Sequence, residues 1–436
     1  MNPAPRAAHA AALTVLLLAS GLTPQDARAA GYGLYEQGAR ALGSAGAFTA
    51  RADDPSSIYF NPAGLSRIDG KELLLSPNLI VFKAQFAGVN PSPGFGVHER
   101  TRDKVFGPFA AYYAQGIGHK LAAGIGVYNP YGLEVDWANP DAFSGRYIST
   151  LSRITPFYFV PTVAFRLNDR LRVGVGANLV LSKVELVRHI PAYDPFINQT
   201  VDVGTVWLES EHNFGAGFNA GAQWWPSSRV KLGATWRGRV NVDYAGLADF
   251  TRRDTGDPSF DSIVAASFPP DQRVTTSIPF PAQGSLGIAY QSCPSWAFEG
   301  DFNYTWWGAF DRLGIQFKDS PSRNVDVVEN WKDVFNVRVG AEYRRGGEAA
   351  WSYRAGYYFD QSPQPRASLG PLLPDNDRHG ITLGIGHHGR TATVHAYALW
   401  LITPDRSTEG QNRDNFNGTY SLGTFVAGAS LGLHFD

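Results

Sequence analysis

Three short patterns in this chain carry residue types that could do chemistry. Gly428, Ser430 and Gly432 spell G-x-S-x-G, which exposes a nucleophilic serine where a strand turns sharply into a helix. The few residues after Gly432 leave no room for that helix. Gly384, Gly386 and Gly389 spell G-x-G-x-x-G, but a phosphate cradle needs a helix after the glycines, and this alternating stretch runs into a turn. His387 and His388 are metal-ligand types, yet adjacent residues on a strand point to opposite faces. The sequence thus offers no catalytic constellation, no cofactor site and no metal site. Lys and Arg total 38 against 39 for Asp and Glu, a net charge of −1, which implies no basic surface for nucleic acid. The single cysteine, Cys293, excludes a disulfide framework and a four-cysteine zinc site.

The remaining charged residues sit in alternating sequence. Arg237, Arg239, Glu299, Asp301, Arg338, Glu342 and Arg354 each fall on the polar face of a period-2 pattern, which fits a solvated lumen; one or two of them could pair with a substrate carboxylate. Val230, Leu232, Ala234, Trp236, Val240, Val242 and Tyr244 form the apolar face of one such run. Phe335, Val337, Val339, Ala341 and Tyr343 form another, and the stretches beginning at Trp296 and Trp351 behave alike. These strands are longer than the usual five or six residues of a soluble sandwich and end in Trp and Tyr, as interfacial girdles require.

The N-terminus indicates export. Arg6 precedes the apolar run Ala10 to Ala19, and Ala27 and Ala29 make an A-x-A cleavage pattern, so residues 1–29 read as a signal peptide. That run is about half of what a membrane anchor needs, and no later stretch comes near it, so insertion must be by strands. Candidate spans lie near 71–86, 105–115, 120–133, 147–167, 171–187, 211–225, 230–245, 272–291, 296–317, 331–345, 349–361, 378–389, 392–402 and 422–436. This predicts an all-β fold, a 14-stranded antiparallel transmembrane β-barrel over residues 71–436, with short turns such as "LNDR" at one end and long loops at the other. Residues 30–70 contain "ADDPSSIYFNPAGLS", where Asp54 before Pro55 and Asn61 before Pro62 are helix-start signals with room for only a turn or two. Such helices need packing from outside. The lumen of a barrel of this size is too wide for wall side chains to fill, so residues 30–70 are expected to be a short helical hatch, or plug, inside it.

With these blocks in view, the chain resembles the FadL family of outer-membrane transporters for long-chain fatty acids and aromatic hydrocarbons. The similarity is carried by "GARALGSAGAFTARADDPSSIYFNPAGLS", with its Asn61, Pro62 and Ala63 hatch motif, and continues through "GVYNPYGLEVDW", "GRYISTLSRITPFYFVPTVAFRLNDRLRVGVG", "PAQGSLGIAYQSCPSWAFEGDFNYTWW", "NWKDVFNVRVGAEYR" and "LPDNDRHGITLGIGH". It covers nearly the whole mature chain. The resemblance implies a monomer in the bacterial outer membrane, in contact with its lipids and lipopolysaccharide and inserted by the barrel assembly machinery. It implies passive uptake of a hydrophobic small molecule, with a kink in the third strand that lets substrate leave sideways into the bilayer. Pro130 and Gly132 in "YNPYG" are the residues that would break pairing there, or Pro130 merely ends a span at the rim. Hydrophobic capture would fall to loops 190–208 and 258–270, with Phe196, Trp207, Leu208, Ile263, Val264 and Phe268; alternatively each loop buries these side chains in a small core of its own. Two other classes stay open: an outer-membrane barrel enzyme acting on lipids through Ser430 or His434, and a general porin for hydrophilic solutes.

Overall fold

The computed structural model describes residues 31–345 and 350–435. The expected signal peptide lies outside them. The chain forms a closed antiparallel barrel of 14 strands. Lys71–Gly88 (β1) closes it, pairing on one side with Phe109–Ile117 (β2) and on the other with the last strand, Gly418–Phe435. The third wall strand is interrupted: Leu121–Tyr128 (β3) and Leu133–Asp136 (β4) both pair with Leu151–Arg166 (β5). Leu171–Asp194 (β6) follows, and its upper part continues as a hairpin with Gln199–Ser210. The segment read from sequence as the loop 190–208 is therefore largely strand.

Exposure alternates as a lipid-facing wall demands. In β5, Phe157, Phe159, Val163 and Phe165 are exposed, while Tyr158, Val160, Thr162 and Ala164 are buried inward. One alternation read straight through the sequence is broken in the fold. The run from Val230 divides at Gly238 and Arg239 into Val230–Arg237 and Val240–Arg252. Trp236 faces outward, whereas Val240, Val242 and Tyr244 are buried inward. A one-residue slip reverses every side chain beyond it, so the upper half of this wall turns its apolar face to the lumen. The neighbouring walls do the same, with Val274, Ile278, Leu313 and Ile315 all buried.

The lumen is filled by residues 31–70. They form two single-turn helices, Ala39–Leu42 (α1) and Ser57–Phe60 (α2), and a 3-10 turn, Pro62–Arg67. Asn61 caps that turn, its Oδ1 accepting from the Ala63 amide at 3.2 Å. Asp54 Oδ1 accepts from the Ser56 amide at 2.9 Å in the turn leading into α2, whose own N-cap, Ser56, makes no side-chain cap bond, so of the two sequence signals Asn61 alone caps a helix start. Glycines let the wall meet this plug backbone to backbone. A Cβ on Gly233 would lie 2.3 Å from the Thr49 carbonyl oxygen, and one on Gly384 would lie 2.6 Å from Gly43 Cα. The glycine pattern around Gly384 thus serves close packing. Gly233→Val is expected to destabilise the plugged barrel by about 1–3 kcal/mol, the usual cost of overpacking, read as a lower thermal midpoint in detergent. An unchanged midpoint would mean that the plug yields at this contact without loss.

Candidate functional site

Polar side chains of the wall clasp the plug. Asp301 Oδ2 accepts from the amides of Phe48 (2.9 Å) and Thr49 (3.0 Å) and from the Thr49 hydroxyl (2.8 Å). Glu299 accepts from the Ala50 amide at 2.6 Å and from Arg51 Nε at 2.7 Å. Arg338 donates to the Ala45 carbonyl at 2.7 Å, and Arg237 to the Tyr59 carbonyl at 3.0 Å. Asn61 Nδ2 joins two plug segments to the wall by donating to the carbonyls of Thr49 (2.7 Å) and Ala222 (3.0 Å). The expectation that these inward charges face solvent is therefore corrected. Arg237, Glu299, Asp301, Arg338, Glu342 and Arg354 are all buried, and of that set only Arg239 is exposed. A single-turn helix leaves most of its backbone groups unpaired, and the wall supplies their partners. Within the plug, burial pushes the Asp53 carboxyl up, but the adjacent Arg40 and Arg67 guanidiniums hold it well below the usual carboxylate range.

The third wall strand breaks between Tyr128 and Leu133, at Pro130 and Gly132. The adjacent wall breaks at the same level, between Lys104–Phe106 and β2, where Gly107 and Pro108 intervene. Pairing between β2 and β3 stops at Ala111 and Val127, β4 pairs with β5, and the wall closes again above, where Arg102 N donates to Asp136 O at 2.8 Å. Above the gap, Lys104 pairs with Asp136 at 2.7 Å. On the inner side the plug takes up the freed backbone groups: Leu34 N donates to Pro130 O at 2.8 Å and Gly132 N to Tyr32 O at 2.9 Å. Both lips of this gap, with Phe109 and Phe157 exposed on the outer wall, border a chamber of about 570 Å³.

Inward of it lies a second cavity of about 100 Å³, formed by the apolar upper halves of the walls, with Leu208, Tyr244, Ile278 and Ile315 among its lining. Tyr32 borders both spaces. Its ring centroid is 4.6 Å from that of Trp307 and 5.8 Å from that of Trp331, and its hydroxyl donates to the Pro279 carbonyl at 2.9 Å. With Leu133, Arg153, Ile154 and Leu373 the tyrosine forms the boundary between cavity and chamber, held by aromatic edges and one hydrogen bond.

The residues expected to capture substrate do not share one groove. Leu208 lines the inner cavity. Val264 is buried with Val203 and Phe260 beneath the helix Pro258–Ser267 (α3), with Phe268 packed against them. Trp207 is exposed on a wall strand, and Phe196 and Ile263 are exposed beyond it. Tyr32, Trp307 and Trp331 were missed, because nothing in the local sequence marks aromatics in connecting segments as neighbours. The Ser430 hydroxyl is engaged, accepting from the Ala39 amide at 2.8 Å and donating to Ser76 Oγ at 2.8 Å. His434 faces Glu72 at 3.4 Å. Among the described residues no group of three or more His, Cys, Asp or Glu is placed to hold a metal ion.

Comparison with known proteins places these features in context. A family profile described as "Outer membrane protein transport protein (OMPP1/FadL/TodX)" matches residues 21–431. The chain is similar to the long-chain fatty acid transport protein of Escherichia coli K12, at 23% identity over 85% of this chain and 87% of that one. It is also similar to outer membrane protein P1 of Haemophilus influenzae, at 22% identity over 85% and 84% of the two chains. Among solved structures, a Pseudomonas aeruginosa FadL homologue superposes with a TM-score of 0.82 at 19% identity, covering 93% of this chain and all of that one. The Pseudomonas putida toluene transporter TodX superposes with 0.72 at 15% identity, covering 92% and 99%. At these identities the structural likeness is one of fold.

Proposed function

The chain belongs to the OMPP1/FadL/TodX family of outer membrane transport proteins, and from that premise we propose that it conducts hydrophobic small molecules passively, from the inner apolar cavity past Tyr32 and out through the wall gap into the bilayer. The observation that supports this most is the pair of adjoining spaces that share Tyr32, Leu133, Arg153, Ile154 and Leu373 as their boundary, the outer of them bordered by both lips of a gap in the barrel wall. Relatives named for long-chain fatty acid transport and a fold neighbour named for toluene transport delimit the substrate class as apolar. A substrate that leaves through the wall avoids the polar plug contacts below. Exposed apolar residues at the outer tips, Phe196 and Ile263, would serve first contact, and insertion by the barrel assembly machinery as a monomer among lipopolysaccharide is part of the same proposal.

A general porin would need an open lumen, whereas here residues 31–70 occupy it. Size discriminates further, since a dry cavity of about 150 Å³ accommodates benzene. The inner cavity, at about 100 Å³, is smaller than that, so a ring or chain that enters it must also reach into the chamber. Ile278→Trp fills the inner cavity from a buried position and is expected to lower uptake of a labelled apolar solute by roughly tenfold or more, with the barrel still folded. Uptake at the wild-type rate would refute a path through this cavity.

A further inference from the structure

The inner cavity is apolar in most of its lining, and its few polar groups are unevenly signed. Arg153 is its single basic residue, and it is already committed: NH2 donates to Glu134 Oε1 at 3.1 Å and NH1 pairs with Glu185. Glu185, Glu209 and Glu329 are the carboxylates on the lining, and Lys183, which pairs with Glu185 at 3.5 Å and with Glu209, does not line the cavity. Glu329 is buried, bonded to Arg413 at 2.8 Å and to Trp331 Nε1 at 3.1 Å.

Most of the neutral donors are engaged as well. The Tyr32 hydroxyl serves Pro279 O, and the Thr276 hydroxyl donates to Gly314 O at 2.7 Å. Ser210 Oγ donates to Glu211 O at 2.8 Å, and the Tyr244 hydroxyl lies 2.6 Å from Ser182 Oγ. Gln364 Nε2 donates to the carbonyls of Ser368 (2.8 Å) and Leu373 (2.9 Å). A carboxylate entering here would leave water and meet three carboxylates, while Arg153, the one cation among the described lining residues, is already paired. An ion transferred to an apolar site without a partner carries a desolvation cost that no contact here offsets. An uncharged molecule meets no such cost.

We propose, resting on the transport reading above, that this cavity selects uncharged ligands, hydrocarbons or their alcohols, and rejects the carboxylate form of an otherwise identical chain. The test compares binding of 1-octanol and octanoate to the intact purified protein at neutral pH, counting only the part of binding that Ile278→Trp abolishes. The expected result is roughly tenfold tighter binding of the alcohol. Glu329→Gln, which removes one carboxylate and leaves Arg413 in place, should narrow that ratio by favouring octanoate.

Octanoate binding as tightly as octanol would overturn the selectivity while leaving hydrophobic transport standing. A ratio unmoved by Glu329→Gln would overturn the electrostatic origin given to it. If neither ligand shows a component sensitive to Ile278→Trp, the transport reading itself falls, and the selectivity with it.

Discussion

Gly132→Arg is expected to abolish uptake of an apolar solute, by well over tenfold, while leaving the barrel folded and heat-modifiable on gels. Gly132 lies in the break between β3 and β4, where a Cβ would already sit 2.8 Å from Leu34 Cδ1. A long cationic side chain there must either fill the chamber or push the N-terminal segment inward. It would also place a charge beside the lipid-facing gap, at a cost of about 2.5–3.5 kcal/mol near the bilayer centre if unpaired. Gly132 does not line the inner cavity, so the part of octanol binding that depends on Ile278 should fall much less than uptake in this variant. Loss of uptake with retained binding would locate the defect at the exit. Retained uptake would remove the wall gap from the proposed route.

The gap was partly readable in advance, because Pro130 cannot donate to a ladder and Gly132 weakens one. What could not be read was its width. That depends on Gly107 and Pro108 breaking the adjacent wall at the same level, a coincidence between segments some 20 positions apart in sequence that only the register reveals. The barrel itself was readable for a simpler reason: lipid on one face imposes period-2 alternation on strand after strand, and the 14 expected spans correspond to the 14 walls.

The apolar cavity was not readable, because the same alternation was followed past the point where it changes phase. At Gly238 and Arg239 one residue slips, and Val242 and Tyr244 turn from the expected lipid face to the lumen. A signal was present, since spans such as 272–291 and 296–317 exceed the roughly 10 residues a membrane crossing needs, and their excess length had to go somewhere. The capture residues were readable in part: Phe196, Trp207 and Ile263 are exposed, while Val264 lies in the small core given as the alternative. Apolar side chains in a segment read as loop look exposed, but β6 and Gln199–Ser210 continue as a hairpin that buries Val203 against α3. The inward charges were read as solvated because sequence does not show that residues 31–70 approach closely enough to be bonded.

Those charges lead to the second large effect. The double substitution Glu299→Leu with Asp301→Leu is expected to release the plug, giving stepwise ionic conductance in planar bilayers where the wild type gives little. Together the two carboxylates accept from the amides of Phe48, Thr49, Ala50 and Arg51, from the Thr49 hydroxyl and from Arg51 Nε. Each buried donor left without an acceptor costs about 1–3 kcal/mol, so several at once exceed what one-turn helices can retain on their own. The plug can regain those bonds only by moving into water. Asn61→Ala removes fewer contacts, the links to the Thr49 and Ala222 carbonyls and the cap on Ala63, and should give brief openings instead of steady ones. This ordering tests the clasp as a mechanism: if both variants conduct like the wild type, packing against the wall holds the plug and the carboxylates merely satisfy it. If the double variant conducts steadily while its barrel remains heat-modifiable, the acidic pair is the latch that keeps a transporter of apolar molecules closed to ions.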